Sequence, residues 1–181
     1  MNRKTIILGV IIILFISLGM IIRSQVLNIE NSLKQKQESK AELNYLPEFN
    51  FQDTLGNSFS NINLEKDKPI VVVHFGNFCP YCHEEAKIIN HYFEEYKDFQ
   101  LLFVTKDEMK NINIFMKKNK LVAKPNITIL RYENNEFEEA FGSKSLPCLF
   151  IFDRQNKLVQ HFDGAVTART LIKYTRAARI R

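Results

Sequence analysis

Cys79 and Cys82 stand three positions apart in VVVHFGNFCPYCHEEAKII, residues 71–89, between an apolar run and a stretch of helical pattern. Three chemistries use that spacing: a reversible disulfide, half of a zinc site, and, because His83 follows at once, covalent attachment of a c-type haem. Zinc would require Cys79, Cys82, His83 and His74 to converge, and no second C-x-x-C exists. Haem would require a distal ligand, for which Met109 and Met116 are candidates, and usually a mostly helical pocket. A peroxidatic cysteine would need Thr or Ser three positions earlier, where Gly76 stands.

The elements around the pair decide which surroundings exist. Pro69 introduces IVVVHF, a β-branched run of the kind buried on both faces of a sheet. After the cysteines, Cys82, Ala86, Ile89, Phe93 and Tyr96 recur at helical spacing and form one apolar stripe, while Glu84, Glu85, Lys87, Glu94 and Glu95 mostly take other faces. Cys82 is therefore expected to point inward and Cys79 to stand at the helix mouth. There the unpaired N–H groups and the positive end of the helix dipole favour a thiolate. Pro80 suits the first turn, where no N–H is needed.

Further along, Phe99 to Thr105 reads as a second buried strand. Glu108 to Lys118 reads as a helix with Ile112, Phe115 and Met116 inside, and Ile127 to Leu130 as a short strand. CLFIFD follows Ser145-Leu146-Pro147, KLVQHF follows the turn Arg154-Gln155-Asn156, and a last helix comes after Gly164. Before all of these, FNFQDTLGNSFS alternates about Leu55-Gly56-Asn57 as a short hairpin. The order is that of an α/β domain with a mixed central sheet, which is the wrong context for a haem motif.

PEFNFQDTLGNSFS, IVVVHFGNFCPYC, SLPCLFIFD and KLVQHFDG together resemble the thioredoxin-like family, most closely its membrane-anchored TlpA and ResA branch, from about Pro47 to the C-terminus. The resemblance implies a thioredoxin-like fold and thiol-disulfide exchange. In that exchange Cys79 is the attacking sulfur, Cys82 resolves, and a cis Pro147 beside the pair shapes the surface where an extended substrate segment docks. It also implies protein disulfides as substrates, a membrane thiol-electron carrier as reductant, and no cofactor. This chain departs from the family in four places, one of them Cys148 directly after the proline. Phe78 replaces a common Trp, the loop into Cys79 is a residue shorter, and Val73 or His74 stands where a buried acid is common, so the base that assists Cys82 is unassigned. The alternative from another class is a binding module that uses CPYCH for c-type haem or copper.

The 181 residues, 45% of them apolar, suffice for one domain and an appendage. Of the net charge of +5, three units fall in residues 1–46, so no basic patch marks a nucleic-acid surface. Thr5 to Ile22 carries no charge and would reach about 27 Å as a helix, close to a bilayer's hydrocarbon thickness. We read residues 1–23 as an uncleaved anchor in preference to a cleaved leader, 24–46 as a polar tether, and 47–181 as the domain. Arg3 and Lys4 favour a cytoplasmic N-terminus, placing the cysteines on the extracytoplasmic side of a bacterial cytoplasmic membrane.

Other residues have plainer readings. His74 either tunes the cysteine pair or is a hydrogen-bonded core residue. His83 is expected at the surface near the helix start, Glu84 and Glu85 beside the first helical turn, and Cys148 as a buried strand residue. Arg169, Lys173 and Arg176 form a basic stripe on the last helix, normally a solvated face.

Overall fold

The computed structural model describes residues 19–20, 22–26 and 43–180. Most of the expected span from Thr5 to Ile22, and the tether over 27–42, lie outside the described residues. Among the described residues no helix is long and apolar enough to cross a membrane. Residues 19–20 and 22–26 are helical. A separate compact unit begins at Leu43, four residues before Pro47. Its first residues are held by main-chain hydrogen bonds, Leu46 N–H to Asn156 O at 2.7 Å and Leu158 N–H to Asn44 O at 2.8 Å.

This unit is built on a seven-stranded sheet in the order β2-β1-β5-β4-β3-β6-β7. The strands are β1 (Asn50–Gln52), β2 (Ser58–Ser60), β3 (Ile70–His74), β4 (Gln100–Thr105), β5 (Ile127–Arg131), β6 (Cys148–Phe152) and β7 (Leu158–Asp163). β3, β4 and β5 are parallel, while β6 runs antiparallel to β3 and β7 to β6. The β1–β2 hairpin turns at Gly56, whose φ of +83° suits a residue without Cβ, and Asp53 accepts the N–H groups of Leu55 and Asn57.

β3 and β4 sit at the centre and every residue in them is buried, as their unbroken apolar runs require. Alternation divides their side chains between two cores. Val71, Val73 and Phe75 join one core with residues from α1 (Pro80–His91), α2 (Met109–Lys118) and α4 (Ala168–Arg179). Ile70 and Val72 join the other with Phe49, Phe51, Cys148, Phe150 and Phe152.

That second core is closed by α3 (Glu136–Phe141), a six-residue helix that periodicity did not disclose. Phe137 and Phe141 are its buried residues, stacked at 4.7 Å, and each such ring contributes about 1.5–3 kcal/mol by leaving water. Glu136, Glu138 and Glu139 complement the dipole at its start, and Gly142, at φ +69°, ends it by donating to Glu138 O at 2.8 Å.

Candidate active site

α1 begins where the sheet ends. Cys79 is its N-cap, in extended backbone, and Pro80 occupies the first turn. The Cys79 sulfur accepts the N–H of Cys82 at 3.1 Å, so a helix-terminal donor that would otherwise lack a partner points at it. Cys79 is half-buried, whereas Cys82 is 2% exposed. Burial pushes the Cys82 thiol well above its usual range, with further contributions from its neighbour Cys79 and the carboxyl of Glu85. The two sulfurs are thus unequal: one is reachable and faces N–H donors, the other is inside and holds its proton.

Glu85 differs from the sequence expectation. It is fully buried, not spread over the first turn's surface, because position +3 from Cys82 lies on the same helical face. Its Oε2 accepts the Val166 N–H at 3.2 Å, and its Oε1 makes no hydrogen bond. Burial raises its carboxyl to about 7, which the Val166 hydrogen bond partly opposes. The buried Tyr96 hydroxyl likewise lacks a protein partner, and burial followed by the charge of Glu85 raises it. Glu85 is therefore an acid able to take or give a proton near neutrality beside a thiol that must lose one.

His83 also departs from expectation, being buried and not at the surface. Its Nε2–H donates to Asn77 O at 2.8 Å, its Nδ1 accepts from the Asn119 amide at 2.8 Å, and the ring packs on Phe115 at 4.7 Å between centroids. With both nitrogens engaged, the ring steadies the loop into Cys79. Asp107 holds that loop a second time by accepting the Asn77 N–H. Among the described residues no group of three or more His, Cys, Asp or Glu could hold a metal ion.

His74 is a hydrogen-bonded core residue. Its ring stacks on Phe137 at 4.0 Å, placing it in the core opposite α1, so it does not face Cys82. The residues of β3 that turn toward α1 are Val71 and Val73, which have no proton to exchange.

The Leu146–Pro147 bond is cis, and Cys148 opens β6 opposite His74. Pro147 therefore lies just past the end of β3, where the chain turns toward Cys79. A Cβ on Gly76 would meet Leu146 Cδ1 at 3.3 Å, which shows how near the two loops pass. Pro147 O accepts the Gly164 N–H at 2.8 Å. Phe78 and Tyr81, which flank Cys79, are 81% and 60% exposed. Cys148 is buried as expected, and burial pushes its thiol up to about 12. On the last helix, Arg176 pairs with Glu95, so the basic stripe is partly spent on internal contacts.

A model of the AhpC/TSA family matches residues 44–161. No curated protein matches the chain. Among solved structures, DsbF of Mycobacterium tuberculosis superposes with a TM-score of 0.62 at 19% identity, covering 72% of this chain and 95% of its own. A thiol:disulfide interchange protein of the thioredoxin family from Chlorobium tepidum has a TM-score of 0.61 at 18% identity, covering 76% and 97%. StoA of Bacillus subtilis has a TM-score of 0.55 at 17% identity, covering 73% and 98%. At these identities the likeness is one of fold, and the fold is thioredoxin-like.

Proposed function

The chain belongs to the AhpC/TSA family, and we propose that it is a thiol-disulfide oxidoreductase that reduces protein disulfides through Cys79 and Cys82. The observation that carries this reading is the inequality of the two sulfurs at the mouth of α1. Cys79 accepts a helix N–H at 3.1 Å and is reachable, while Cys82, one turn on, is buried.

In the proposed reaction the Cys79 thiolate attacks one sulfur of a substrate disulfide. A Cys79–substrate bond forms and the second substrate sulfur leaves, taking up a proton. Cys82 then gives its proton to the Glu85 carboxylate and attacks the Cys79 sulfur, releasing the first substrate sulfur as thiolate. Two electrons pass from the pair to the substrate, which ends as a dithiol, and Cys79 and Cys82 end as a disulfide. A membrane thiol-electron carrier would return the electrons. We place the domain on the extracytoplasmic side of a bacterial cytoplasmic membrane, tethered through residues 1–23, a reading supported by the uncharged run from Thr5 to Ile22 and by Arg3 and Lys4 before it.

The haem alternative needs His83 Nε2 as an iron ligand, and that nitrogen is committed to Asn77 O. The copper alternative keeps both thiols, but among the described residues no His, Asp, Glu or third Cys is grouped with them as a further ligand.

The test is to trap the intermediate. Cys82→Ser lacks the resolving thiol and should accumulate higher-mass adducts in cells that collapse on reduction, whereas Cys79→Ser should form few. Absence of adducts from Cys82→Ser, together with a Soret band or stoichiometric Cu(I) in the wild type, would replace the redox reading by the binding-module one.

A further inference from the structure

His74 is the only polar side chain on β3, and the exchange chemistry does not use it. It lies on the face of the sheet away from Cys82 and beneath the segment from Gly142 to Pro147. A carbonyl can only accept, so His74 Nδ1 carries the proton and donates to Ser145 O at 3.0 Å, while Nε2 accepts from the Tyr132 hydroxyl at 2.8 Å. The chain of contacts continues on the far side. Ser145 N–H donates to Ser143 Oγ at 3.2 Å, and Ser143 Oγ–H donates to Asp163 Oδ1 at 2.6 Å. Burial pushes the His74 ring down to about 4, so this neutral donor and acceptor pattern holds near neutral pH.

The segment is packed only in part: Ser143 and Pro147 are buried, whereas Gly142, Lys144 and Leu146 are exposed. An open cleft of about 280 Å³ borders it, lined by His74, Tyr132, Ser143, Lys144 and Leu146 among others. Burial anchors the segment at Ser143 and Pro147, and between them the half-buried Ser145 has its carbonyl, two residues before Pro147, tied to β3 by His74.

We propose that His74 is a positioning residue for substrate docking. By fixing the Ser145 carbonyl it sets where residues 145–147 stand beside the Cys79 loop, and so governs binding of the extended protein segment that carries the disulfide, without entering the exchange. The inference rests on the dithiol reading of Cys79 and Cys82.

Three variants of the full-length protein test it with two probes, insulin as a protein disulfide and dithiobis-nitrobenzoate as a small aromatic disulfide that needs no docked chain. His74→Leu removes the donor and leaves the Ser145 carbonyl unpaired, so KM for insulin should rise about tenfold, with kcat and the small-disulfide rate changed less than about twofold. His74→Asn places an amide donor near the Nδ1 position and should restore most of KM. Tyr132→Phe removes a hydroxyl at the edge of the network, keeps the fold if His74→Leu does not, and should move KM in the same direction by a smaller factor. Hydrogen exchange of residues 143–148 should rise in His74→Leu and return in His74→Asn. An unchanged KM in His74→Leu and Tyr132→Phe, an equal loss on both probes, or failure of His74→Asn to rescue would each overturn the positioning role while leaving the dithiol reading intact. A wild type inert toward both probes would overturn the dithiol reading, and the inference with it.

Discussion

Glu85 and His74 should pull the stability of the domain in opposite directions with pH, and substituting either should expose the other. The Glu85 carboxyl is raised from 4.5 to about 7 by burial. Between those values the folded state holds a proton that the unfolded chain has released, so stability is full below about pH 4.5 and falls as pH rises toward 7. His74 is lowered from 6.5 to about 4 by burial. There the unfolded chain holds the extra proton, so the contribution is full above about pH 6.5 and is lost as pH falls toward 4. At about 1.4 kcal/mol per pK unit, each group is worth on the order of 3 kcal/mol over its window, and in the overlap from about pH 4.5 to 6.5 the two slopes nearly cancel. Glu85→Gln removes one slope. Its stability relative to wild type should therefore grow by about 2 to 3 kcal/mol from about pH 5 to pH 8, a shift of roughly 1 M or more in urea midpoint. His74→Asn should do the reverse, losing the acid-side decline. Urea unfolding by far-UV circular dichroism at several pH values measures both. A difference between Glu85→Gln and wild type that stays flat across this range would refute the claim that Glu85 titrates high because it is buried without a full set of partners.

Three further outcomes follow from the same geometry. Cys79 should be alkylated first in the reduced protein near neutral pH, with Cys82 and Cys148 slower by at least about an order of magnitude because both are buried and hold their protons; mass spectrometry of partly labelled protein reads this directly. Phe137→Ala should cost about 3 to 5 kcal/mol in thermal or urea unfolding, since that fully buried ring joins α3 to His74, Phe51 and Phe150, and a loss below about 1 kcal/mol would show that α3 is not part of the core. Hydrogen peroxide should be consumed no faster than by a simple thiol, because Gly76 supplies no hydroxyl three residues before Cys79, and a rate enhancement above about a hundredfold would indicate peroxidatic chemistry.

Most of the sheet and three of the four helices of the folded unit were legible because burial on both faces leaves unbroken runs, and burial on one face leaves a helical stripe. IVVVH and QLLFVT are such runs, and Cys82, Ala86 and Ile89 such a stripe. The α3 helix was not legible. Its six residues span fewer than two turns, three of them are Glu, and its two Phe acquire meaning only from a core assembled by β1 and β6. The candidate site was visible in the sequence through the spacing of Cys79 and Cys82 and, by resemblance, Pro147, whereas the burial of Glu85 and His83 was not. A glutamate beside an apolar stripe is ordinarily read as solvated, although Glu85 at +3 from Cys82 and four before Ile89 carried the signal in its spacing. The burial of His83 depends on Asn119, thirty-six residues away, and no local pattern encodes that contact.

Strand alternation puts His74 on the side of the sheet opposite α1, the helix that carries Glu85. β3 places Val73 on the side of α1 and His74 on the side of α3, so an acid at position 74 would face away from the resolving sulfur, and one at 73 would sit in the apolar core between β3 and α1. An acid that is to serve Cys82 must then come from the helix itself, and the next buried position on the helical face of Cys82 is 85, three residues on. The side of β3 thus released from proton chemistry carries a neutral histidine whose two nitrogens are both spent on hydrogen bonds, one of them to the segment ahead of Pro147. On the proposed reading, the side of the sheet that faces α1 carries the acid for Cys82, and the other side carries the histidine that positions the docking segment.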